Sequence, residues 1–145
     1  RAKSLVRLYS LLRETMVTRQ SELLRVLDQM AKDLPSPEWV ALVDDNGLIV
    51  ACIPDEPAIE QERISAMTAA SLIMADRVLG EIEGGQTRYT SIAGSRRQML
   101  TVVLSRDRLL ALGLGPEVPA QATFSALTRW VPEILAVLKR SFGAG

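Results

Sequence analysis

Two neighbouring carboxylates, Asp44 and Asp45, are the residues of this sequence best placed to act as an acid–base pair or to ligate a metal ion. They stand just before Asn46-Gly47, and a turn already explains them. Asp accepts hydrogen bonds from the backbone ahead of it, and Asn-Gly tolerates positive φ. The single thiol, Cys52, lies inside the apolar run 48–53 with no activating base beside it, so it reads as an inert core residue rather than a nucleophile. Gly113-Leu114-Gly115 falls between a strand-like run and a helix-like one, the context of a phosphate-cradling loop. The third glycine would have to stand where Val118 is, Pro116 removes a backbone donor, and no Lys-Ser or Lys-Thr pair follows. An exit loop fits better than a nucleotide site.

The side chains that are missing narrow the chemistry further. With no histidine in 145 residues there is no Ser-His or Cys-His nucleophilic pair, no histidine general base and no His-rich zinc site. No catalytic residue, cofactor or metal ligand is therefore expected. Seventeen basic and seventeen acidic side chains cancel, so no global field draws the molecule to nucleic acid or to an anionic membrane, and any charged partner is met locally. Between Arg88 and Arg108 lie five arginines, one acid and Tyr89, but a single aromatic is a thin stacking platform for a nucleic acid. That strip reads as charge on exposed hairpin turns, or as a contact for an acidic protein. From Asp33 to Glu62 there are eight acids and no base, of which Asp55, Glu56, Glu60 and Glu62 suit the positive end of a helix.

Length and composition, 48% apolar and 23% charged, describe one globular domain. The longest stretch without charge, Ile64 to Ala75, is twelve residues, short of the roughly 18–20 that cross a bilayer. One cysteine and no visible leader make a reducing cytoplasm the expected compartment.

The elements follow from periodicity. Leu5, Leu8, Leu12 and Met16, then Leu23, Leu27, Met30 and Leu34, mark an amphipathic helix. The stripe fails at Arg19 and Gln20, so one long helix and two consecutive ones are both open. Residues 1–32 carry seven basic and three acidic side chains, a pattern that lies on a membrane, joins a partner helix, or simply covers the core behind an N-terminal extension. Pro35-Ser36-Pro37 ends it. Trp39–Val43 and Leu48–Ile53 flank the Asp44–Gly47 turn as a β-hairpin, and the near-continuous apolarity of the second strand asks for cover on both faces. A second helix is expected from about Glu56, capped by Asp55, to Leu79, stopping at Gly80. Its wheel is apolar all round: Ile64, Met67, Met74, Ala75 and Val78 on the side expected to reach the sheet, and Ala66, Ala69, Ala70 and Ile73 nearly opposite. Little chain remains to cover the second side, which points to a subunit interface. Strand-like runs Thr87–Ile92, Met99–Leu104 and Leu109–Leu114 form a meander, and Val118 to Phe142 mark a closing helix that Pro132 kinks or divides.

Over about Asp33 to Phe142 this pattern resembles the Roadblock family, which includes roadblock-type dynein light chains and MglB-type bacterial regulators of small GTPases. The match rests on Val43-Asp44-Asp45-Asn46-Gly47-Leu48-Ile49-Val50-Ala51, on the alanine-rich helix at Ile64–Ala75, and on the strand pair Met99–Leu104 and Leu109–Leu112. The helical extension before Gln20 and Pro132 in the last helix depart from the family. The resemblance implies an α+β fold in which a five-stranded antiparallel sheet is sandwiched by helices in the longin-like order α-β-β-α-β-β-β-α, with residues 1–20 an extension and 21–145 the domain. It implies a dimer, of identical or paralogous copies, through the second helix and the Thr87–Ile92 edge strand, with Ala66, Ala69, Ala70, Ile73, Thr87, Tyr89 and Ser91 in the interface. Arg63, Met67 and Arg77 are the expected contacts to a small Ras-like GTPase. The family is non-enzymatic: nucleotide and Mg²⁺ belong to the GTPase, whose own active site the MglB-type members reshape. A structural adaptor without effect on hydrolysis, and a ligand-sensing domain with an enclosed polar pocket, are the competing readings.

Overall fold

The structure is a computed structural model that describes residues 3–8 and 17–142. Two hydroxyls decide where the first domain helix starts. Thr18 has extended backbone, its Oγ1 accepts from the Ser21 N–H at 3.0 Å, and Ser21 Oγ accepts from the Thr18 N–H at 2.9 Å. This reciprocal cap satisfies two donors that a helix start otherwise leaves open. Helix α1 therefore begins afresh and covers Arg19–Asp33, which settles the question of one helix or two in favour of a new start. Residues 3–8 are also helical, whereas Leu12 and Met16 of the expected stripe lie outside the described residues.

Strands β1 (Pro37–Asp44) and β2 (Ile49–Ile53) form the expected hairpin. Asp44 Oδ1 accepts from the N–H groups of Asn46 and Leu48, both at 2.9 Å, and Gly47 takes φ +76°, so the acid is spent on the turn. Helix α2 (Gln61–Glu81), β3 (Tyr89–Ala93), β4 (Gln98–Ser105), β5 (Arg108–Leu114), a 3₁₀ turn (Ala120–Thr123) and α3 (Phe124–Lys139) complete the chain. The sheet order is β2-β1-β5-β4-β3 with antiparallel neighbours throughout, the α+β architecture anticipated from the sequence.

Alternation along the strands gives the sheet two buried faces. Val40, Leu42, Ala51, Leu100, Leu110, Leu112 and Leu114 pack under α1 and α3, against Leu23, Val26, Leu27, Met30, Ile134 and Val137. Trp39, Ala41, Val43, Cys52, Leu109 and Ala111 belong to the opposite face, with Ile64 of α2. Although β2 is an edge strand, Ala51 and Cys52 are buried on opposite faces, as its unbroken apolarity suggested.

Several boundaries differ from the sequence reading. Helix α2 starts at Gln61 behind Glu60, without a side-chain cap, rather than at Glu56 behind Asp55. Pro57 disfavours helical backbone at Glu56, and Gln61 Nε2 instead holds the Asp55 carbonyl at 2.6 Å. The helix also runs past Gly80 to Glu81. Helix α3 is continuous through Pro132; the carbonyl that loses its donor belongs to Thr128, an exposed residue, so the loss falls on the solvent side. Val118 is buried in the loop before that helix, where Gln98 Nε2 donates to its carbonyl and to that of Gly115.

Gly113, inside β5, and Gly115, just after it, are steric necessities rather than a phosphate cradle. A β-carbon on Gly113 would lie 2.3 Å from the Trp39 ring, and one on Gly115 would lie 2.7 Å from Ser36 Oγ. Gly113→Ala should therefore overpack the Trp39 site and lower unfolding stability by about 2 kcal/mol, read as a shift of the urea midpoint.

Candidate interaction surface

Helix α2 seats itself on the sheet with its hydroxyl side. The residues it buries are Ile64, Ser65, Thr68 and Ser71. Each hydroxyl is satisfied inside the helix: Ser65 Oγ donates to the Glu62 carbonyl at 3.0 Å, Thr68 Oγ1 to Ile64 at 2.7 Å, and Ser71 Oγ to Thr68 at 2.8 Å. Self-satisfied, these groups can be buried at little cost, and their small size suits close packing of the helix on Ala41, Ala111 and Thr101. The expectation that Met67, Met74 and Val78 reach the sheet is overturned by this arrangement. They stand 57%, 60% and 50% exposed, and Ile73 is 71% exposed.

The sequence-derived site residues distribute over this outer side. Arg63, Ala66, Met67, Ala70, Ile73 and Arg77 are all exposed and form one continuous surface, so the residues expected to pair two copies and those expected to touch a GTPase are not separated. Ala69 is half-buried on a flank, in contact range of the β1–β2 turn: a β-carbon on Gly47 would be 3.4 Å from its own. The opposite flank carries Met67, Met74 and Val78. It faces the other end of the sheet, where Trp39, Gly113, Met99 and Ile92 form one row across the strands. Ile92 ends that row 56% exposed. Met74, Val78 and Ile92 are the surface members that hydropathy alone did not single out. The signal that would have found them is the Ser65-x-x-Thr68-x-x-Ser71 spacing, which marks the side able to bury polar atoms.

Strand β3 is a free edge. The Val103 N–H donates to the Arg88 carbonyl at 2.9 Å, so Thr90 and Ile92, of the same parity, turn their main-chain groups to β4. Those of Tyr89, Ser91 and Ala93 point outward. Thr87, expected in the strand, precedes it; buried, its Oγ1 donates to Asp76 Oδ1 at 2.5 Å and fastens the loop to α2. Tyr89 is exposed and meets Phe124 edge to face, ring centres 5.7 Å apart.

The remaining candidates are accounted for locally. Arg97 pairs with both oxygens of Glu38, at 2.5 and 3.0 Å, and lies over Trp39, which removes it from the basic strip; Arg88, Arg96 and Arg106 remain exposed. A cleft of about 670 Å³ between Leu72 and Asp76 of α2 and Val103 and Ser105 of β4 opens at the surface and is not the enclosed core pocket that ligand sensing would need. Among the described residues no cluster of metal-ligating side chains occurs, and no helix is long and apolar enough to cross a membrane. Cys52 is buried in the α2 face of the sheet, and burial first, the Asp55 carboxylate second, push its thiol up to about 11.

A five-stranded antiparallel sheet with one hydroxyl-seated helix on one side and two helices on the other defines the class, and comparison with known proteins agrees. The Roadblock/LC7 domain profile matches residues 23–113, and the chain belongs to that family. Among curated proteins none matches it by sequence. A Roadblock/LC7 domain from Streptomyces avermitilis superposes with a TM-score of 0.70 at 15% identity, over 82% of this chain and 99% of that one. The gliding protein MglB of Thermus thermophilus gives 0.72 at 11% identity, over 88% and 98%. An MglB with a tetrameric arrangement gives 0.71 at 12%, over 85% and 94%. At such identities the likeness is one of fold.

The Cys52 environment has a measurable consequence. The neutral thiol is favoured by folding, so its share of stability is whole below about 9.0 and is lost as pH climbs through about 11. Urea midpoints of the wild type should fall more steeply across that window than those of Cys52→Ala, and the native thiol should resist a disulfide reagent at mildly alkaline pH until urea unfolds the chain.

Proposed function

We propose that the chain is a dimeric, non-enzymatic platform that binds and regulates a small Ras-like GTPase in the cytoplasm. One observation carries this reading: α2 turns its hydroxyls to the sheet and leaves Met67, Ile73, Met74 and Val78 at least half exposed on a helix with no charge between Arg63 and Asp76. Covering side chains of this size is worth roughly 1.5–3 kcal/mol each, and among the described residues none covers them. The exposed Met67, Met74 and Val78 of α2, and Ile92 with the outward main-chain groups of Tyr89, Ser91 and Ala93 on β3, suit pairing with a second copy through helix contact and sheet continuation. The tetrameric arrangement of an MglB of the same fold supports self-association.

The crest of α2, Arg63, Ala66, Ala70, Ile73 and Arg77, then remains open and is assigned to the GTPase. Small alanines between two arginines leave a low apolar seat with cationic ends, suited to a partner surface carrying carboxylates. This division moves Ala66, Ala70 and Ile73 from the pairing set to the docking set and Met67 the other way, because the Ala69–Gly47 contact fixes how the helix is rolled. The chain offers no histidine for chemistry, in keeping with a regulator that leaves hydrolysis to its partner's own active site.

Two variants separate the surfaces. Met74→Asp should weaken pairing about 100-fold or more by burying an unpaired charge, giving monomers with an unchanged far-UV spectrum in sedimentation velocity. Ala70→Glu should keep the dimer mass and lose capture of the GTP-loaded GTPase in a pull-down. Monomers from Ala70→Glu with a persistent dimer from Met74→Asp would reverse the assignment, and a monomeric wild type would dismiss it.

A further inference from the structure

We infer that Met67 and Met74 are modification sites, and that their oxidation to sulfoxides by a peroxide switches off pairing of the chain through α2. The effect on pairing rests on the reading proposed above, whereas the choice of these two sulfurs rests on accessibility. A peroxide ordinarily reaches cysteine first, because the thiolate is the stronger nucleophile. Here that route is closed. The single thiol, Cys52, is buried in the α2 face of the sheet, where burial and the Asp55 carboxylate keep it protonated at neutral pH. Attack passes to the thioethers, which need no deprotonation and react according to their exposure. Met30 is fully buried in the α1–α3 core, Met99 is half-buried beside Trp39, and Met16 lies outside the described residues. Met67 and Met74 are each more than half exposed and stand seven residues apart on one flank of α2, with no charged side chain between them.

The reaction transfers one oxygen atom. The thioether sulfur attacks hydrogen peroxide, the S–O bond forms as the O–O bond breaks, and the second oxygen leaves as water with both peroxide protons; sulfur is oxidised by two electrons and the peroxide reduced by two. Neither side chain seats α2 on its sheet, a task left to Ile64, Ser65, Thr68 and Ser71, so the modification acts on the outer surface and spares the fold. A sulfoxide is a strong acceptor set into an apolar surface whose other members, Val78 and Ile92, offer no side-chain donor. Two of them from each protomer, buried unpaired, should raise the dimer dissociation constant about 100-fold or more. Pairing in turn covers both sulfurs, so the reaction takes place on the free protomer. Each protomer oxidised is withdrawn from the pairing equilibrium.

Hydrogen peroxide treatment of the full 145-residue chain, diluted to favour the free protomer, tests the inference. Peptide mass spectrometry should place one oxygen on Met67 and one on Met74 before any on Met30 or Cys52, with the far-UV spectrum unchanged. Once the peroxide is removed and the chain reconcentrated, sedimentation velocity should show the dissociation constant raised about 100-fold, and the two methionine sulfoxide reductases together should restore it. The double variant Met67→Leu/Met74→Leu keeps the other methionines, and its dissociation constant, whatever its starting value, should not move on treatment. Oxidation of Met30 or Cys52 ahead of these two, a chain that pairs as well with both sulfoxides as without, or a double variant that loses pairing to peroxide would each overturn the inference. A wild type that dimerises before treatment keeps the pairing reading intact in all three cases. An untreated wild type that stays monomeric at every concentration dismisses that reading itself, and the inference falls with it.

Discussion

The arrangement of this molecule turns on three hydroxyls that are satisfied by their own helix, one of which, Ser71, also meets Thr101 Oγ1 of the sheet at 3.5 Å. Ser65, Thr68 and Ser71 each donate to a carbonyl of their own helix, so α2 can lay a nominally polar side on the sheet without leaving a buried group unsatisfied. Small side chains there bring the helix close to Ala41, Ala111 and Thr101. Having spent its small polar side inward, the helix has only its large apolar side to show to the outside. The exposed methionines and isoleucine are thus a consequence of how the core is packed rather than an accident of composition.

That constraint organises the functional reading. The sheet ends at two edges, β2 and β3, and in the proposed pairing β3 offers its outward main-chain groups while α2 offers its apolar side. The opposite layer, α1 and α3, is closed over a continuous leucine-rich core and carries mixed charges, paired as Arg25–Glu22, Lys32–Asp28 and Arg129–Asp33. The other candidates have local explanations: the Asp44 carboxylate is held by its turn, the Cys52 thiol is pushed up by burial, and Gly113 and Gly115 lie against Trp39 and Ser36.

Much of the fold was legible because the strongest local signals agree with the tertiary structure. Asp44-Asp45-Asn46-Gly47 dictates a hairpin, Pro35 and Pro37 end a helix, and the β2 apolar run is buried on both faces although the strand lies at an edge. The roll of α2 was not legible from hydropathy, which ranks Met67, Met74 and Val78 as core and Ser65, Thr68 and Ser71 as surface. The ranking fails because a hydroxyl bonded to its own helix loses most of its desolvation cost, and because a helix that must approach a sheet closely selects size before polarity. The start of α1 was hidden for a related reason: Ser21 occupies the capping-box position where Glu or Gln is the usual signal. Pro132 misled because its cost depends on which side of the helix loses a bond, and only the fold reveals that the side is solvated.

The central claim, that the apolar side of α2 faces away from its own sheet and is covered only by another molecule, is tested most directly at the methionine methyl groups. Their NMR signals, followed with a soluble paramagnetic agent along a dilution series, report whether each methyl is wet. The account predicts that the Met67 and Met74 methyls are protected at high concentration and become accessible on dilution, while the buried Met30 stays protected throughout. Protection of Met67 and Met74 at every dilution would mean that the chain covers this surface itself, and would contradict the account.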